Sequence, residues 1–345
     1  MSRWLGHAGD PGRIHEEGLA SRGAVEEARD AVAAFLRCRS SREVVFTSGA
    51  TEAIATAVWG AAERGAHQVV TAVEHSAVRL AAEAAGAVTL VGVDRLGRVD
   101  ADQVIDAVRP DTSCVHVQWA NHEVGTMQPV REVVAACRER GVLVHVDAAQ
   151  AAGHVDIDFR ALDADLLSLS AHKLGGPAGI GALLIRRGLR LRPLLVGGDQ
   201  ERARRAGMEN VPAICGFGAV CAAIDVDVEA KQQRALTQRV LDAGIDGTVT
   251  YGDPDGRVAH LICLGILGIE PQAVLLGLDR AGVAAHSGSA CSSEALEPSP
   301  VLEAMGVDAH RSLRVSVGWS SNDADIDALL DALPKVIAEL RSLSG

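Results

Sequence analysis

The sequence predicts an α/β fold with a mostly parallel central sheet, covered by helices on both faces. Short runs rich in Val, Ile and Leu alternate with segments of helical periodicity, as in parallel strands joined by helical crossovers. Hydrophobic residues make up 48% of the 345 residues but aromatic residues only 3%, which favours helices and buried strands over a sandwich. Because this length exceeds what one core usually covers, we expect a second, smaller domain.

The first part of the chain contains the predicted large domain, residues 10–210. Its first clear helix is Ala24–Cys38, where apolar residues recur at helical spacing after an acidic start. Strand-like runs follow at 44–49, 67–73, 87–93, 113–120, 142–149 and 165–171, with helical patterns at 50–65, from Ser76, at 100–109 and at 131–141.

A change of pattern then predicts a smaller α+β domain at 211–345. A long helical stretch leads into short strand-like runs, a further helix and a final amphipathic helix. The strand-like runs are 248–252, 257–266, 282–288 and 313–318. No repeat or low-complexity linker separates the two parts, so we expect them to pack together.

Charge and cysteine content exclude several classes of function. A net charge of -12 and the lack of Lys/Arg-rich blocks argue against a nucleic-acid partner. The start has no signal-like apolar core and no apolar run reaches about 18 residues, which predicts a cytoplasmic protein without a membrane partner. The 7 cysteines lack C-x-x-C spacing, so we expect neither disulfides nor a metal site, and most cysteines should be small buried residues.

The main functional hypothesis comes from the stretch DLLSLSAHKLGGPAGIGALLIRRG, which places Lys173 between two apolar, strand-like runs. A lysine buried there would have a lowered pKa, and its neutral amine would suit a Schiff base with an aldehyde cofactor such as pyridoxal phosphate. A lysine after a strand is more often a solvated end, and the glycines can be simple turn formers. This stretch alone therefore leaves both interpretations open.

Polar residues at other predicted strand ends supply the remaining groups that pyridoxal phosphate needs. Asp147 and Gln150 end the run VLVHVDAAQ, while Ser170 and His172 precede Lys173. The carboxyl ends of parallel strands meet at one edge of a sheet, where ligands collect. We therefore expect these side chains to lie together.

A turn running into a helix, VVFTSGATEA, supplies a site for the cofactor's phosphate. The first amides of that helix, at Ala50 and Thr51, and the Thr51 hydroxyl can hold an anion. By itself the motif is equally consistent with an ordinary capped helix start.

Taken in order, the motifs resemble those of cysteine desulfurases, enzymes of the class-V aminotransferase family with the fold-type-I architecture of pyridoxal-phosphate enzymes. The match covers nearly the whole chain. It includes EVVFTSGATEA, EHSAV, ANHEVGTMQPV, HVDAAQAAG, SLSAHKLGGPAGIGALLIRR, GGDQERARRAG, HSGSACSSEALEPSPVLEAMGV and LRVSVGWSS.

The resemblance implies a role for each cofactor-binding residue. Lys173 is implied to bind the cofactor covalently, Asp147 to pair with the pyridine nitrogen and His75 of EHSAV to stack on the ring. Gln150 is implied to bond the phenolic oxygen. The implied phosphate ligands are Thr51, Ser170 and His172.

Cys291 of SGSACSS is the implied nucleophile, because the matching thiolate in the family attacks the sulfur of bound L-cysteine. The products are L-alanine and an enzyme persulfide. A thiol near its normal pKa is only partly ionised, so we expect a base to assist, with His75 as the candidate. The undivided sequence after Cys291 resembles the desulfurases whose long, mobile loop passes sulfur to an acceptor protein. The alternative is an inert small residue.

Two residues are expected to contact the substrate. Arg314 of LRVSVG should hold its carboxylate, because a guanidinium forms a planar paired contact with such a group; the alternative is a surface arginine. His122 of ANHEVG stands where the family usually has an asparagine beside cofactor and substrate. Imidazole can donate one bond there, but it adds bulk and titrates near neutral pH.

Two further departures bear on activity. The family's usual opening, of the type YLDNAATTP, is absent, so we expect either a substitute cover or an open site. Met208 stands where a threonine usually reaches the phosphate of a partner subunit. Methionine cannot donate that bond, and its loss would weaken cofactor binding by about 1.5 to 3 kcal/mol unless Arg204 or Arg205 compensates.

The leading hypothesis is a homodimeric, pyridoxal-phosphate-dependent L-cysteine desulfurase that passes sulfur to an acceptor protein. One alternative is a selenocysteine lyase or another C-S lyase that uses the same cofactor. A second is a degenerate, non-catalytic scaffold of a sulfur-transfer complex. The sequence leaves the identity of the acceptor open.

Overall fold

The computed structural model describes residues 1–7, 9–287 and 298–344, and these form two compact units. The first unit comprises Met1–Val91, Asp100–Trp119 and Pro129–Asp225, and the second comprises Gly92–Val99, Ala120–Gln128 and Val226–Gly345. Two short segments within the predicted large domain thus belong to the second unit. The predicted domain bounds of 10–210 and 211–345 stay a prediction.

A seven-stranded sheet forms the centre of the first unit. Its strands are β1 Val44–Thr47, β2 His67–Thr71, β3 Ala87–Val91, β4 Thr112–Gln118, β5 Leu143–Asp147, β6 Leu166–Ser170 and β7 Gly181–Ile185. They lie in the order β1-β7-β6-β5-β4-β2-β3. Neighbours from β3 to β6 in this order pair in parallel, whereas β7 is antiparallel to β1 and β6. The predicted α/β fold with a mostly parallel sheet is confirmed.

Helices of the first unit connect and cover these strands. They are α1 Ser2–Leu5, α2 Glu16–Phe35, α3 Ala50–Ala61, α4 Ser76–Ala85, α5 Ala101–Asp106, α6 Val130–Glu139, α7 Phe159–Leu162, α8 Gln200–Ala203 and α9 Val211–Ala223. Strands β4 to β7 are buried along their whole length, as expected for parallel strands covered on both faces. Helix α3 packs in one apolar cluster with Cys114, Leu143 and Leu166, so its N-terminus is held against the sheet.

A buried ion pair anchors the segment after β7. Arg29 of α2 and Glu201 form two hydrogen bonds of 2.7 Å, and the backbone N–H of Phe46 also donates to Glu201. Both charged side chains are 2% exposed, and such pairs are costly to break because a lone buried charge remains. The pair therefore fixes the segment that continues to Arg205 and Met208.

The second unit contains helices on a small antiparallel sheet. Its strands are β8 Thr248–Tyr251, β9 Leu261–Ile266 and β10 Ser312–Ser316, in the order β10-β9-β8. Its helices are α10 Val226–Asp242, α11 Pro271–Arg280, α12 Pro300–Ala304 and α13 Asp323–Ser344. The predicted strand at 282–288 is wrong for residues 282–287, which form only an isolated bridge, between His286 and Arg314.

None of the helices described in residues 1–7, 9–287 and 298–344 is by itself long and apolar enough to cross a membrane. Only α9 and α10 taken together, across the break between them, reach the length and hydropathy that a span requires.

Candidate active site

Asp147 ends β5 as a buried carboxylate with one oxygen already engaged. The backbone N–H of Ala149 donates to its Oδ1 at 3.0 Å, and Ser168 Oγ lies 3.0 Å from the same atom. Burial raises the pKa of Asp147, although these bonds and the neighbouring side chains of His75 and Lys173 favour its ionised form. A positively charged partner at Oδ2 would stabilise the carboxylate further. Gln150 is half-buried in the turn that follows.

Lys173 lies in a single turn of 3-10 helix, Ala171–Leu174, directly after β6. The residue is exposed in this chain, so the expectation of a buried lysine is wrong. Within this turn only Ala171 and Leu174 are buried. Lys173 is nevertheless close enough to His75 and Asp147 to shift the pKa values of both groups. The structure thus brings together these three predicted residues.

Two glycines after Lys173 have roles that other residues could not fill. Gly175 ends the turn with φ +81°, a left-handed conformation that favours glycine. A Cβ atom on Gly181, the first residue of β7, would lie 2.7 Å from the Cα of Gly49. The glycine therefore lets β7 approach the residue that precedes α3.

The predicted phosphate ligands gather at the start of α3. A Cβ atom built on Gly49 would lie 3.7 Å from Ser170 Oγ, and Ser170 Oγ is 2.9 Å from His172 Nδ1. Thr51, in the first turn of α3, is exposed, and Ala50 is half-buried. Free amides at a helix N-terminus attract anions. These residues are suited to a phosphate group.

His75 caps α4, since its Nδ1 accepts a hydrogen bond of 3.1 Å from the N–H of Ala77. Burial lowers the pKa of His75, as does repulsion from Lys173, while attraction to Asp147 opposes the change. A neutral His75 that accepts at Nδ1 carries its proton on Nε2. In this conformation the ring therefore offers a donor at Nε2, and it must release the cap before it can act as a base.

Glu74, which sequence reasoning missed, is a neutral carboxyl group next to this site. Thr71 Oγ1 and the N–H of Gln118 both donate to its Oε1 at 2.6 Å, whereas the buried Oε2 has no partner among the described residues. Burial raises its pKa to about 8, and repulsion from Asp147 contributes. Because Glu74 keeps its proton near neutral pH, Asp147 can be the local anion.

Sequence reasoning also missed a row of buried polar side chains beneath Asp147. Across β4 and β5, His116 pairs with His145 and Gln118 with Asp147, while Asp147 pairs with Ser168 across β5 and β6. Alternate residues of a strand point to the same face, so these side chains form one polar row. The sequence does contain the pattern of this polar row. In CVHVQ, VHVD and LLSLS, polar residues recur at every second position of apolar runs.

Arg204 and Arg205, the two arginines predicted to compensate for Met208, bond to other groups of this chain. Arg205 donates two hydrogen bonds to Glu52 in the first turn of α3, at 2.9 and 3.3 Å. Arg204 donates to the backbone carbonyl of Arg42 at 2.8 Å. Met208 itself is 60% exposed. Both arginines therefore already have acceptors within this chain.

Arg314 and His122, the predicted substrate-binding residues, lie in the second unit. Arg314 Nη1 donates to the backbone carbonyl of His122 at 2.9 Å. The Nε of Arg314 is buried and finds no acceptor among the described residues. Burial lowers the pKa of Arg314, and Glu123 opposes this change. A half-buried guanidinium with an unsatisfied N–H suits a carboxylate ligand.

The predicted nucleophile, Cys291, lies outside the described residues, but the other six cysteines can be compared with the prediction. Four are buried and two are half-buried, and burial raises the pKa of every one of these thiols, to about 12 for Cys38, Cys137 and Cys221. Such thiols are poor nucleophiles at neutral pH.

The described residues of the first unit fit pyridoxal phosphate. Asp147 offers a buried acceptor that requires a cation, which a protonated pyridine nitrogen supplies. Lys173 is an amine close to it, and the start of α3 with Ser170 and His172 matches the phosphate. The fold and this set of side chains are those of a pyridoxal-phosphate enzyme.

Comparisons with known proteins agree with this class. The family model for aminotransferase class-V matches residues 3–329. A curated cysteine desulfurase of Gluconacetobacter diazotrophicus is 43% identical, over 97% of this chain and 88% of its own length. A solved NifS-like protein superposes with a TM-score of 0.91 at 30% identity, covering 98% of this chain and 93% of the other. A structure of SspA in complex with cysteine has a TM-score of 0.82 at 28% identity, covering 91% and 92%.

The chain belongs to the cysteine desulfurases of the class-V aminotransferase family, which depend on pyridoxal phosphate. The predicted family and cofactor are therefore confirmed.

The neutral carboxyl group of Glu74 predicts a specific pH dependence of stability. Its pKa is raised from 4.5 to about 8 in the folded chain, so the stability it contributes is complete below about pH 4.5 and is lost as pH rises towards 8. We expect Glu74→Gln to gain stability relative to the parent between pH 5 and 8, by up to about 1.4 kcal/mol per pH unit. Urea titrations at several pH values measure this difference.

Glu63→Gln is the control for the loss of one carboxyl group, because Glu63 is half-exposed and makes only a 3.7 Å ion pair with Arg192. A difference between Glu74→Gln and the parent that stays constant from pH 5 to 8 would contradict a protonated Glu74.

Proposed function

We propose that this protein uses pyridoxal phosphate to remove sulfur from L-cysteine, giving L-alanine and a persulfide on Cys291 that is passed to an acceptor protein. The main support is the buried carboxylate of Asp147, placed with Lys173 and His75 at the strand ends of a sheet shared with known desulfurases. The curated relatives are named cysteine desulfurases. They do not favour a selenocysteine lyase or a non-catalytic scaffold.

Each residue of the first unit has a proposed task toward the cofactor. Lys173 binds it covalently, and Asp147 keeps a proton on the ring nitrogen. His75 stacks on the ring and Gln150 bonds its phenolic oxygen. The backbone N–H of Ala50 binds the phosphate, together with Thr51, Ser170 and His172. When bound, pyridoxal phosphate supplies a sink for the electron pair released at the substrate's Cα.

Arg314 and His122 are proposed to bind the substrate. The carboxylate of L-cysteine completes the hydrogen bonds of Arg314, whose Nε has no acceptor among the described residues. The structure of SspA with cysteine supports L-cysteine as the substrate of this chain. His122 contributes a donor near cofactor and substrate.

The sulfur transfer is a displacement at the sulfur of L-cysteine. The Cys291 thiolate attacks that sulfur, an S–S bond forms and the substrate's C–S bond breaks. The electron pair of the C–S bond stays on the substrate carbon, which takes up a proton to give L-alanine. One thiol and one cysteine thus become one persulfide and one alanine, with no external oxidant. His75 assists as a base only after it leaves the cap of α4.

The partners are proposed from the family alone. A persulfide must be consumed by a nucleophilic or reducing acceptor, so we propose a sulfur-acceptor protein. Family members build their site across a two-fold interface, so we also propose a homodimer, with Met208 facing the partner's phosphate site. A cytoplasmic location remains a prediction of the sequence.

Cys291→Ser tests the persulfide directly. We expect the variant to keep the visible absorbance of the lysine-bound cofactor but to form no protein-bound sulfur and no alanine from L-cysteine, because a hydroxyl cannot accept the sulfur. Mass spectrometry of the protein and amino-acid analysis measure both products.

Cys38→Ser is the matched control at a thiol whose pKa burial raises to about 12, and it should retain activity. Lys173→Ala should lose the visible absorbance as well as the activity. Continued alanine formation by Cys291→Ser would refute the role of this cysteine.

Arg314→Ala tests the site for the substrate carboxylate. We expect the concentration of L-cysteine at half-maximal rate to rise about 10- to 100-fold, because a charge-assisted paired contact is lost. Arg314→Lys should be intermediate, since it keeps the charge without the planar fork. Arg239→Ala removes a half-buried arginine that pairs with Asp323 and Asp327, and it should leave the half-maximal concentration unchanged. An unchanged half-maximal concentration in Arg314→Ala would place the carboxylate elsewhere.

A further inference from the structure

A continuous chain of buried hydrogen bonds crosses the sheet and ends on Asp147. Gln68 Oε1 lies 2.7 Å from His116 Nε2, and His116 Nδ1 lies 3.1 Å from His145 Nδ1. His145 Nε2 lies 3.1 Å from Ser168 Oγ, which is 3.0 Å from Asp147 Oδ1. Gln68 is 1% exposed, and both histidines and Ser168 are fully buried. We call these five residues the histidine relay.

The two histidines of the relay are neutral near neutral pH. Burial lowers the pKa of His116 to about 3 and that of His145 well below its ordinary value. A neutral imidazole has one N–H and one lone pair. Because the two Nδ1 atoms face each other, one ring carries its proton on Nδ1 and the other on Nε2. The pair therefore has only two arrangements.

The charge on Asp147 decides between these arrangements. An ionised Asp147 accepts the only proton of Ser168, so Ser168 must accept a bond from His145 Nε2–H. His116 then carries its proton on Nδ1. Gln68 must turn its amide group to donate to His116 Nε2, and its nitrogen leaves the carbonyl of Val58, to which it donates at 3.4 Å in the structure. A protonated Asp147 donates to Ser168 instead. Every bond then reverses, and Gln68 accepts through Oε1.

We propose that Gln68, His116 and His145 are positioning residues that couple the tautomers of the histidine pair to the charge on Asp147. In the enzyme with pyridoxal phosphate, they hold the Ser168 hydroxyl so that it donates to Asp147 and stabilises the anion. This inference rests on the proposed function, because the ring nitrogen is the cation that ionises Asp147.

A purely structural role would satisfy the same buried groups without responding to the cofactor. In the structure the amide nitrogen of Gln68 donates to the carbonyl of Val58 at 3.4 Å and Gln68 Oε1 faces His116 Nε2, which is the arrangement that a protonated Asp147 requires. With pyridoxal phosphate bound, the carboxyl group of Asp147 would give its proton to the ring nitrogen, and the relay would reverse. The histidine tautomers thus report on an event at Asp147 without taking part in the chemistry.

Nitrogen-15 spectra of protein labelled at histidine test this coupling. They are recorded without cofactor, with pyridoxal phosphate, and with a carbocyclic analogue that lacks the ring nitrogen. We expect pyridoxal phosphate to move the proton of His145 from Nδ1 to Nε2 and that of His116 from Nε2 to Nδ1. The analogue should leave the cofactor-free pattern.

Identical tautomers in the free and pyridoxal-phosphate forms would overturn the coupling while leaving the proposed function standing. A protein that binds no pyridoxal phosphate, judged by its visible absorbance, would overturn both. A reversal that the carbocyclic analogue also causes would overturn the assignment to the ring nitrogen.

Variants separate the relay from ordinary packing. Ser168→Ala removes a single oxygen; we expect it to abolish the tautomer change at His145 and to weaken pyridoxal phosphate binding about tenfold. His116→Leu cuts the relay beyond His145, so we expect weaker pyridoxal phosphate binding, while His145 still changes tautomer because Ser168 still faces its Nε2. His67→Leu is the matched control, because His67 is buried and bonds Thr112 and Thr89 outside the relay. Equal effects of His67→Leu and His116→Leu on cofactor affinity would contradict the proposal.

Discussion

The pairing of a buried carboxylate with a cation is the constraint on which this site depends. Asp147 lies where burial disfavours its charge, yet its hydrogen bonds with Ala149 and Ser168 favour the ionised form. Glu74 nearby stays protonated and adds no second negative charge. A pyridinium nitrogen resolves the conflict, because it brings the missing positive charge and gains an acceptor that fixes its own proton.

The sheet makes this arrangement possible. The face covered by α3 is apolar at Cys114, Leu143 and Leu166, and further along the same strands it becomes polar at His116, His145 and Ser168. The apolar layer holds α3 against the sheet, with its N-terminus next to Ser170. The polar layer then places Asp147 and its donors at the strand ends, as parallel topology dictates.

The sequence predicted the features that depend on local pattern and on strand ends. Alternating strands and helices predicted the fold, and the strand-end positions of Asp147, Ser170 and Lys173 predicted the candidate site. What it missed depends on partners distant in sequence. The exposure of Lys173 follows from the turn after β6, and the partners of Asp147 follow from strand register, which single strands do not reveal. The hydrogen bonds of the buried His116 and His145 could not be predicted either, because their partners also depend on strand register.

The most direct measurement of the central claim is the rate of alanine formation by Asp147→Asn. The variant keeps the shape of the side chain but cannot be an anion. We predict that it folds and retains pyridoxal phosphate, while alanine formation from L-cysteine falls by about 100-fold or more, because preorganised charge at the ring nitrogen is lost. A folded, cofactor-bound Asp147→Asn that forms alanine at the parental rate would contradict this account.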